Sequence, residues 1–316
     1  MHRFVLSFFA IFFASALGAE TWTQFDYPGS TATMIMGISG ERIVGWYQDG
    51  DHNPYQSFLH KNGDWDTLEY PGASKTVVYG IDGDKIVGEF KDGNGEDHGF
   101  LYDATAASPW TQLDYPGGKE TIVMGVSGDH LTGYYLDPSV QAIFGFQYDT
   151  ENWNQLEYPG ADATVSTAIS GNAIVGLHYD DADQQMPNVY VVSKSFVYDG
   201  STWTSLVFPG MNNSQAMDLE GNYVVGSYDD EDNKHGFLYS SLSDPAWRTV
   251  DYPGAGSTGL TGISGNILVG NFQATEGGSH GFILHDPALG GGSVPEPATM
   301  LLALIGLALL PRGRRR

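Results

Sequence analysis

The chain has 316 residues, and its 38 Asp and Glu against 14 Lys and Arg give a formal net charge of −24. A body this acidic repels phosphate backbones, which argues against nucleic-acid binding. The absence of cysteine excludes disulfide scaffolds, thiolate metal centres and cysteine nucleophiles. With 42 glycines, 13% aromatic residues and only 16% charged residues, the composition indicates an all-β protein with many tight turns.

Residues 1–18 predict a cleaved secretory signal peptide. A short positive start, Met1–Arg3, precedes the apolar run Phe4–Phe13 and the small residues Ala14–Ala19. About ten apolar residues make roughly 15 Å of helix, which is too short for a hydrocarbon core of about 30 Å. We therefore expect export with cleavage after Gly18, the alternatives being an uncleaved anchor or a buried N-terminal helix.

Residues 20–288 contain six copies of one unit, separated by about 45 residues. Each copy has a Tyr-Pro-Gly motif, except that Phe208 replaces Tyr in the fifth, and a Trp stands six residues before each proline. The prolines are Pro28, Pro71, Pro116, Pro159, Pro209 and Pro253, and the tryptophans are Trp22, Trp65, Trp110, Trp153, Trp203 and Trp247.

Each unit is predicted to form four short antiparallel strands. In one copy, the alternating segment Trp110–Gly117 is a half-buried strand, and the apolar run Thr121–Val126 is an inner strand buried on both faces. A turn at Ser127–His130 leads to the third strand, Leu131–Tyr135, and Gly145–Tyr148 is the fourth. The Trp segment of the next copy then begins a new cycle.

Four strands per unit and six units predict a six-bladed β-propeller. The chain begins with the Trp22 strand, without three strands before it, and finishes with the strand Gly281–Leu284, without a Trp strand after it. We therefore expect the N-terminal strand to complete the last blade and close the ring. An open solenoid is the alternative, although it would be expected to have atypical capping repeats.

Three histidines, His98, His235 and His280, recur at one position of the repeat. Equivalent positions on different blades lie on a ring, so we expect each histidine to cap the start of its strand instead of joining a metal site. Six tryptophans are fixed by the repeat and are interpreted as packing residues, which leaves Trp46 as the one outside that pattern. No catalytic residue and no metal site is predicted.

Acidic loops offer a possible Ca²⁺ site. Asp92, Asn94 and Glu96 have the alternate spacing of the first half of a calcium loop, and Asp229 and Glu231 stand in the equivalent loop of a later unit. The closing Glu of an EF-hand is absent. A solvated, charged hairpin loop is therefore the other interpretation, and no further cofactor is expected.

The units resemble the bacterial extracellular HAF repeats, named after His-Ala-Phe. The matching segments are His98–Tyr102, His235–Tyr239 and His280–Leu284, together with Gly-Ile-x-Gly stretches such as Gly80–Gly83. Glycine replaces the family's alanine, and the other three copies lack the histidine. The resemblance implies a repeat architecture and an extracellular location, but no defined activity and no catalytic residues.

The C-terminus contains a second predicted targeting signal, after the N-terminal signal peptide. A Gly-rich linker, residues 289–293, leads to Val294-Pro295-Glu296-Pro297 and the apolar stretch Ala298–Leu310. A basic tail follows, and the positive-inside rule predicts that this tail stays in the cytoplasm. Its arginines are Arg312, Arg314, Arg315 and Arg316.

Residues 294–316 resemble the PEP-CTERM sorting signal of Gram-negative bacteria. The resemblance implies a precursor anchored in the inner membrane by a C-terminal hydrophobic helix, and recognition by an exosortase, a membrane transpeptidase that cuts near the Pro-Glu-Pro motif. It also implies release to the cell surface or the extracellular matrix, commonly in species that produce exopolysaccharide.

The sequence therefore predicts an exported, non-enzymatic propeller that binds exopolysaccharide, another surface protein or Ca²⁺. The alternative is a secreted glycan-active hydrolase or lyase on a propeller scaffold. Two carboxylates about 5–10 Å apart at one mouth of the channel would favour the enzyme, and scattered acids would favour binding.

Overall fold

The computed structural model describes residues 19–50, 55–179, 193–240, 246–275 and 277–289. These residues form 24 strands arranged as six four-stranded antiparallel sheets. The fold is therefore the six-bladed all-β propeller that the repeats predict. The signal segment 1–18 and the sorting segment 294–316, with their predicted helices, lie outside the described residues. Within the described ranges, no helix has the length and apolar character needed to cross a membrane.

The strands are numbered along the chain, and the first strand of each blade lies nearest the axis. Blade 1 contains β2 (Ala32–Ser39), β3 (Arg42–Gln48), β4 (Gln56–Lys61) and β5 (Asp64–Leu68), and blade 2 contains β6 (Lys75–Asp82), β7 (Lys85–Lys91), β8 (Asp97–Asp103) and β9 (Trp110–Leu113). Blade 3 contains β10 (Glu120–Ser127), β11 (His130–Asp137), β12 (Ala142–Tyr148) and β13 (Trp153–Leu156), and blade 4 contains β14 (Ala163–Ser170), β15 (Ala173–Tyr179), β16 (Lys194–Tyr198) and β17 (Trp203–Leu206). Blade 5 contains β18 (Ser214–Glu220), β19 (Tyr223–Asp229), β20 (Lys234–Ser240) and β21 (Ala246–Thr249), and blade 6 contains β22 (Ala255–Ser264), β23 (Ile267–Ala274), β24 (Ser279–His285) and β1 (Thr21–Phe25).

The N-terminal strand closes the ring. Strand β1 pairs antiparallel with β24, so that Trp22 lies opposite Leu284. The Trp22 ring packs 5.3 Å from Phe282 and 5.6 Å from Tyr252, measured between ring centroids. Blade 6 therefore has the same four-stranded composition as the other five, although its strands come from both ends of the chain. Leu289, which the sequence analysis counts in the linker, packs against the core of this blade.

The Tyr-Pro-Gly motif forms the turn between one blade and the next. In the turn before blade 2, the Ala73 N–H donates to the Tyr70 carbonyl at 3.1 Å, and Gly72 has a φ of 80°, which favours glycine. The Tyr70 N–H donates to Thr76 Oγ1 at 2.9 Å. Proline suits the second position of this turn, because its φ is fixed near the required value and it has no N–H that would need a partner.

The tyrosine of each turn stacks on a ring from the second strand of the following blade. In blade 2 the centroids of Tyr70 and Phe90 are 3.7 Å apart, with 3° between the planes. The edge of Trp110 packs on Phe100 beneath them, at 5.1 Å. The six stacked pairs are Tyr27–Tyr47, Tyr70–Phe90, Tyr115–Tyr135, Tyr158–His178, Phe208–Tyr228 and Tyr252–Phe272.

A β-bulge interrupts the first strand of every blade, which the sequence analysis did not predict. In blade 2 the register shifts between Val78 and Gly80, and Tyr79 is the extra residue. A Cβ added to Gly88, on the neighbouring strand, would overlap the carbonyl oxygen of Val77. The same clash recurs at the equivalent glycines, which are Gly45, Gly133, Gly176, Gly226 and Gly270. The bulge therefore explains the invariant glycine of the Ile-Val-Gly segment.

The ring has two faces. The loop face carries the Tyr-Pro-Gly turns and the loops that join the second and third strands of each blade. The hairpin face carries the hairpins between the first and second strands. On the hairpin face, side chains of one blade accept N–H groups of the next: Gly83 N donates to Ser39 Oγ at 2.9 Å, and Gly40 N donates to Ser264 Oγ at 2.9 Å across the closure.

Closure of the ring by β1 predicts that Trp22 stabilises the fold as much as Trp110 does in blade 2, whose strands are continuous in sequence. Trp22→Ala and the matched variant Trp110→Ala are each expected to lower the free energy of unfolding by about 2–4 kcal/mol, since both delete a half-buried ring packed on aromatic neighbours. Chemical denaturation of both variants measures this. A stability unchanged in Trp22→Ala and lowered in Trp110→Ala would mean that β1 does not complete blade 6.

The bulge predicts a sharp difference between two glycines that are close in sequence. Gly88→Ala is expected to cost about 2–4 kcal/mol, because its Cβ meets backbone that cannot move without breaking the bulge. Gly93→Ala, in the following loop, has no atom within 4 Å of its new Cβ and is expected to change stability by less than about 0.5 kcal/mol. Equal melting temperatures for the two variants would contradict this account.

Candidate functional site

The axis of the ring holds only a small cavity. Its volume is about 40 Å³, and its walls are the bulged first strands, with Met36, Tyr79 and Met124 among the lining residues. This is room for little more than water. A substrate larger than a few water molecules therefore does not fit in this cavity.

One acid breaks the repeat beside this cavity. The residue after the bulge is glycine or alanine in five blades, and it is Asp218 in blade 5. Its carboxylate accepts the Leu219 N–H at 2.8 Å and, across the blade boundary, the Ile263 N–H at 2.9 Å. Burial raises the pKa of Asp218 to about 7 in spite of these two bonds. The sequence analysis missed Asp218, although an alignment of the six units singles it out.

The three repeat histidines each pair with an aspartate. His98 Nδ1 lies 2.8 Å from Asp114, and the equivalent nitrogens of His235 and His280 lie 2.8 Å and 2.9 Å from their partners. Each partner immediately precedes a Tyr-Pro-Gly motif, and the other two are Asp251 and Asp26. Where the histidine is missing, this aspartate is missing too, and Glu69, Glu157 or Val207 takes its place. The histidines therefore belong to side-chain pairs, which the sequence analysis did not anticipate.

In blade 5 a second aspartate joins the histidine–aspartate pair. His235 Nε2 lies 3.0 Å from Asp230 in the neighbouring loop, while Nδ1 faces Asp251. Burial lowers the pKa of His235, but the two carboxylates outweigh it, so the pKa is raised overall.

The predicted calcium loop of blade 2 is held by its own aspartate. Asp92 Oδ1 accepts the N–H groups of Asn94 at 2.8 Å and Glu96 at 2.9 Å, and these bonds lower the pKa of Asp92. The side-chain amide of Asn94 donates to Asp92 Oδ2 at 3.0 Å. Asp92, Glu96 and His98 each bring one ligand-type atom to within 4.8 Å of the others. Two of the predicted Ca²⁺ ligands, Asp92 and Glu96, are thus close together, the third member of the group is His98, and Asn94 presents its nitrogen to Asp92.

The corresponding loop of blade 5 is arranged differently. Asp229 lies 3.5 Å from Lys234 and accepts a hydrogen bond from the side chain of Asn213, while Glu231 is exposed. Within the described ranges, no group of possible metal ligands forms around Asp229 and Glu231. The assignment of Ca²⁺ to either loop stays a prediction.

A partly buried carboxyl group lies between blades 2 and 3 on the loop face. The side chain of Glu89, in β7, is only 16% exposed, and its carboxylate lies 3.8 Å from Lys75 Nζ. Burial raises the pKa of Glu89 despite that ammonium group. The Tyr79 hydroxyl interacts with Glu89, and the pKa of Tyr79 is raised mainly by its burial. Tyr79 is the bulge residue, so it links Glu89 to the axial cavity.

A second carboxylate stands diagonally across the strand pair from Glu89. Glu89 is opposite Gly99, and Asp97 is opposite Lys91, so Glu89 and Asp97 extend from the same face of the sheet. Asp97 Oδ2 lies 2.7 Å from Lys91 Nζ, and this bond raises the pKa of Lys91. The two acids therefore have different surroundings: partial burial raises the pKa of Glu89, whereas Asp97 is paired with the Lys91 ammonium group.

Sequence reasoning missed this pair because it considered the inner strands alone. The run Val77-Val78-Tyr79 is apolar, and its polar neighbours come from the second and third strands. The signal that could have identified Glu89 is its departure from the repeat. At the position of Glu89 the other blades carry Trp46, Tyr134, Leu177, Ser227 and Asn271, so the carboxylate is peculiar to blade 2.

Comparison with known proteins supports the fold. No family model and no curated protein matches the chain. Among solved structures it is similar to TolB from Acinetobacter baumannii, with 12% identity over 69% of this chain and 53% of that one and a TM-score of 0.50. It is also similar to the tricorn protease, with 12% identity over 78% of this chain and 25% of that one and a TM-score of 0.50. An acylaminoacyl peptidase from Pyrococcus horikoshii matches with 10% identity over 81% of this chain and a TM-score of 0.47. The chain spans 52% of that peptidase and a quarter of the tricorn protease.

The expected non-enzymatic role was wrong. The propellers that the chain resembles include part of an enzyme, the tricorn protease. Such a scaffold is compatible with the alternative, a secreted glycan-active hydrolase or lyase. At 10–15% identity the likeness shows the fold alone, so an activity has to be argued from the side chains of the loop face.

The axial aspartate predicts a loss of stability as the pH rises. Because its folded pKa of about 7 lies above the ordinary 3.8, the folded protein keeps a proton that the unfolded chain releases between about pH 4 and 7. This contribution to stability is complete below about pH 4 and is lost as the pH rises through about 7. Melting curves at pH 5 and pH 8 should therefore differ more for the natural protein than for Asp218→Asn. Parallel pH profiles for the two proteins would refute this titration.

Proposed function

We propose that the chain is a secreted hydrolase that cleaves glycosidic bonds of an uncharged glycan on the loop face of blade 2. The observation that carries the proposal is a pair of carboxyl groups in different surroundings, Glu89 partly buried beside Tyr79 and Asp97 bound to Lys91. Two carboxyl groups in different surroundings can serve as the acid and the base of one site.

The two acids have different roles in the proposed glycoside hydrolysis. Glu89 is the proton donor to the leaving-group oxygen, because partial burial raises its pKa and so favours the form that carries the proton. Asp97 is the second carboxyl group, which activates water or stabilises the positive charge of the transition state. The Cα atoms of diagonal neighbours on paired strands lie about 7–8 Å apart, so the two side chains can bring their carboxyl groups to the separation of about 5–10 Å that such pairs have.

The charge of the protein favours a neutral substrate. The net charge is −24, and Asp92, Glu96 and Asp114 lie near the proposed site on the same face. An anionic polysaccharide would be repelled at this face. The same repulsion disfavours a lyase, because lyase chemistry on uronic acids requires a negatively charged sugar.

Export and sorting belong to the proposal. They rest on the three-part N-terminus and on Pro295-Glu296-Pro297 with its apolar stretch and basic tail. We propose that the precursor is exported and processed by an exosortase-type transpeptidase, so that the enzyme acts at the cell surface or in the matrix.

The proposal predicts hydrolysis that depends on Glu89. The purified protein would be assayed on neutral polysaccharides and their aryl glycosides, with alginate and a peptide library for comparison. Glu89→Gln keeps the shape but cannot donate the proton, and it is expected to lower kcat by about 10²–10⁴-fold. Glu157→Gln is the matched control, since Glu157 is exposed and lies on the same face. It is expected to keep full activity.

Two results would contradict this function. Equal activity of Glu89→Gln and Glu157→Gln would remove Glu89 from the reaction. Turnover of peptides but of no neutral glycan would show that the substrate class is wrong, as would the absence of turnover on every substrate.

A further inference from the structure

The tryptophan outside the repeat pattern forms an aromatic pair on the loop face of blade 1. The rings of Trp46 and Tyr55 are 4.3 Å apart between centroids, with 53° between their planes. Tyr55 is 46% exposed and Trp46 is half-buried. The pair therefore presents aromatic surface to the solvent at the end of β3 and the start of β4.

This aromatic pair occupies the same strand positions as the carboxylate pair of the next blade. Trp46 follows Gly45 and lies opposite Ser57, as Glu89 follows Gly88 and lies opposite Gly99. Tyr55 precedes Gln56, the residue paired with Tyr47, as Asp97 precedes His98, the residue paired with Phe90. Blades of a propeller are related by rotation about its axis. The aromatic pair therefore lies at the same height and radius as Glu89 and Asp97, one blade away.

The side chain at this position points towards the following blade. In blade 6 the equivalent residue is Asn271, whose amide accepts the Ile35 N–H at 2.7 Å and donates to the Ile35 carbonyl at 2.9 Å in the first strand of blade 1. By the same geometry Trp46 faces the first strand of blade 2, to which Tyr79 belongs. The aromatic pair therefore lies at the boundary between blades 1 and 2, and Glu89 lies at the next boundary, between blades 2 and 3.

We propose that Trp46 and Tyr55 form a sugar-binding subsite that holds the uncharged sugar unit next to the bond being cleaved. The apolar C–H face of a pyranose packs on an aromatic ring, while its hydroxyl groups remain available to water and to the Tyr55 hydroxyl. The subsite rests on the proposed function for its role in turnover. Its binding of sugar is a separate property that can be measured without catalysis.

Binding is tested first, on the Glu89→Gln protein, so that no turnover interferes. Titration calorimetry with neutral hexasaccharides (cellohexaose, laminarihexaose, maltohexaose and N-acetylated chitohexaose) is expected to detect at least one ligand. Adding Trp46→Ala should weaken that ligand by about tenfold or more, the scale of losing one anchoring aromatic contact. Trp46→Phe should restore part of the affinity. Trp110→Ala, which deletes a packing tryptophan of the repeat, should lower the melting temperature without changing affinity at a temperature where the protein is folded.

Turnover then separates the subsite from the general function. In the active protein, Trp46→Ala should raise KM for a hexasaccharide and leave the kinetics on an aryl monoglycoside unchanged, because the short substrate does not reach blade 1. Sugar binding that Trp46→Ala abolishes, in a protein without hydrolytic activity, would keep the subsite and reject the hydrolase. No binding of any hexasaccharide, or equal affinity with and without Trp46, would overturn the subsite.

Discussion

The stacking of the turn tyrosine on the second strand is the interaction on which the rest of the ring depends. It joins the link between two blades to the blade that follows. Tyr70 illustrates this: its ring lies 3.7 Å from Phe90, and its N–H is bonded to Thr76 on the first strand. Because both contacts come from one residue, Tyr70 fixes the direction in which the chain enters blade 2. The repetition of this arrangement sets equal angles between blades, which is the condition for six of them to close.

The functional proposals concern the places where the repeat is broken. The Glu89 and Asp97 pair, the Trp46 and Tyr55 pair and Asp218 each occupy positions filled by different residues in the other blades. A residue needed for the fold is expected in every blade, as are the bulge-facing glycines. A residue that appears in one blade is not required by the architecture. This distinction gives a structural reason for looking for chemistry at Glu89 and for interpreting Trp110 as packing.

The sequence was sufficient for the architecture and insufficient for the site, for physical reasons. Strand number, blade number and the pairing of Trp22 with Leu284 follow from the period and from the complementary ends of the chain. The bulge at Tyr79 was not predicted, because an extra residue in an apolar run leaves no mark on its hydrophobicity. Glu89 and Asp97 meet only through the register of β7 with β8, and that register places them on one face. The aspartates beside the histidines were missed for the same reason, since 16 residues separate His98 from Asp114.

Closure by β1 also has a kinetic consequence for a chain that is made from its N-terminus. Asp26 and His280 meet across 254 positions, so the first strand to appear has to wait for the last blade before it can pair. Contacts of such long range slow folding, because the loop must close before any contact is gained. During that interval β1 and the edge of β24 expose unpaired backbone that invites association between chains. The ring can therefore close only after the last blade has been made, and factors that shield strand edges during folding should raise the yield of this protein more than that of a propeller whose blades are each continuous in sequence.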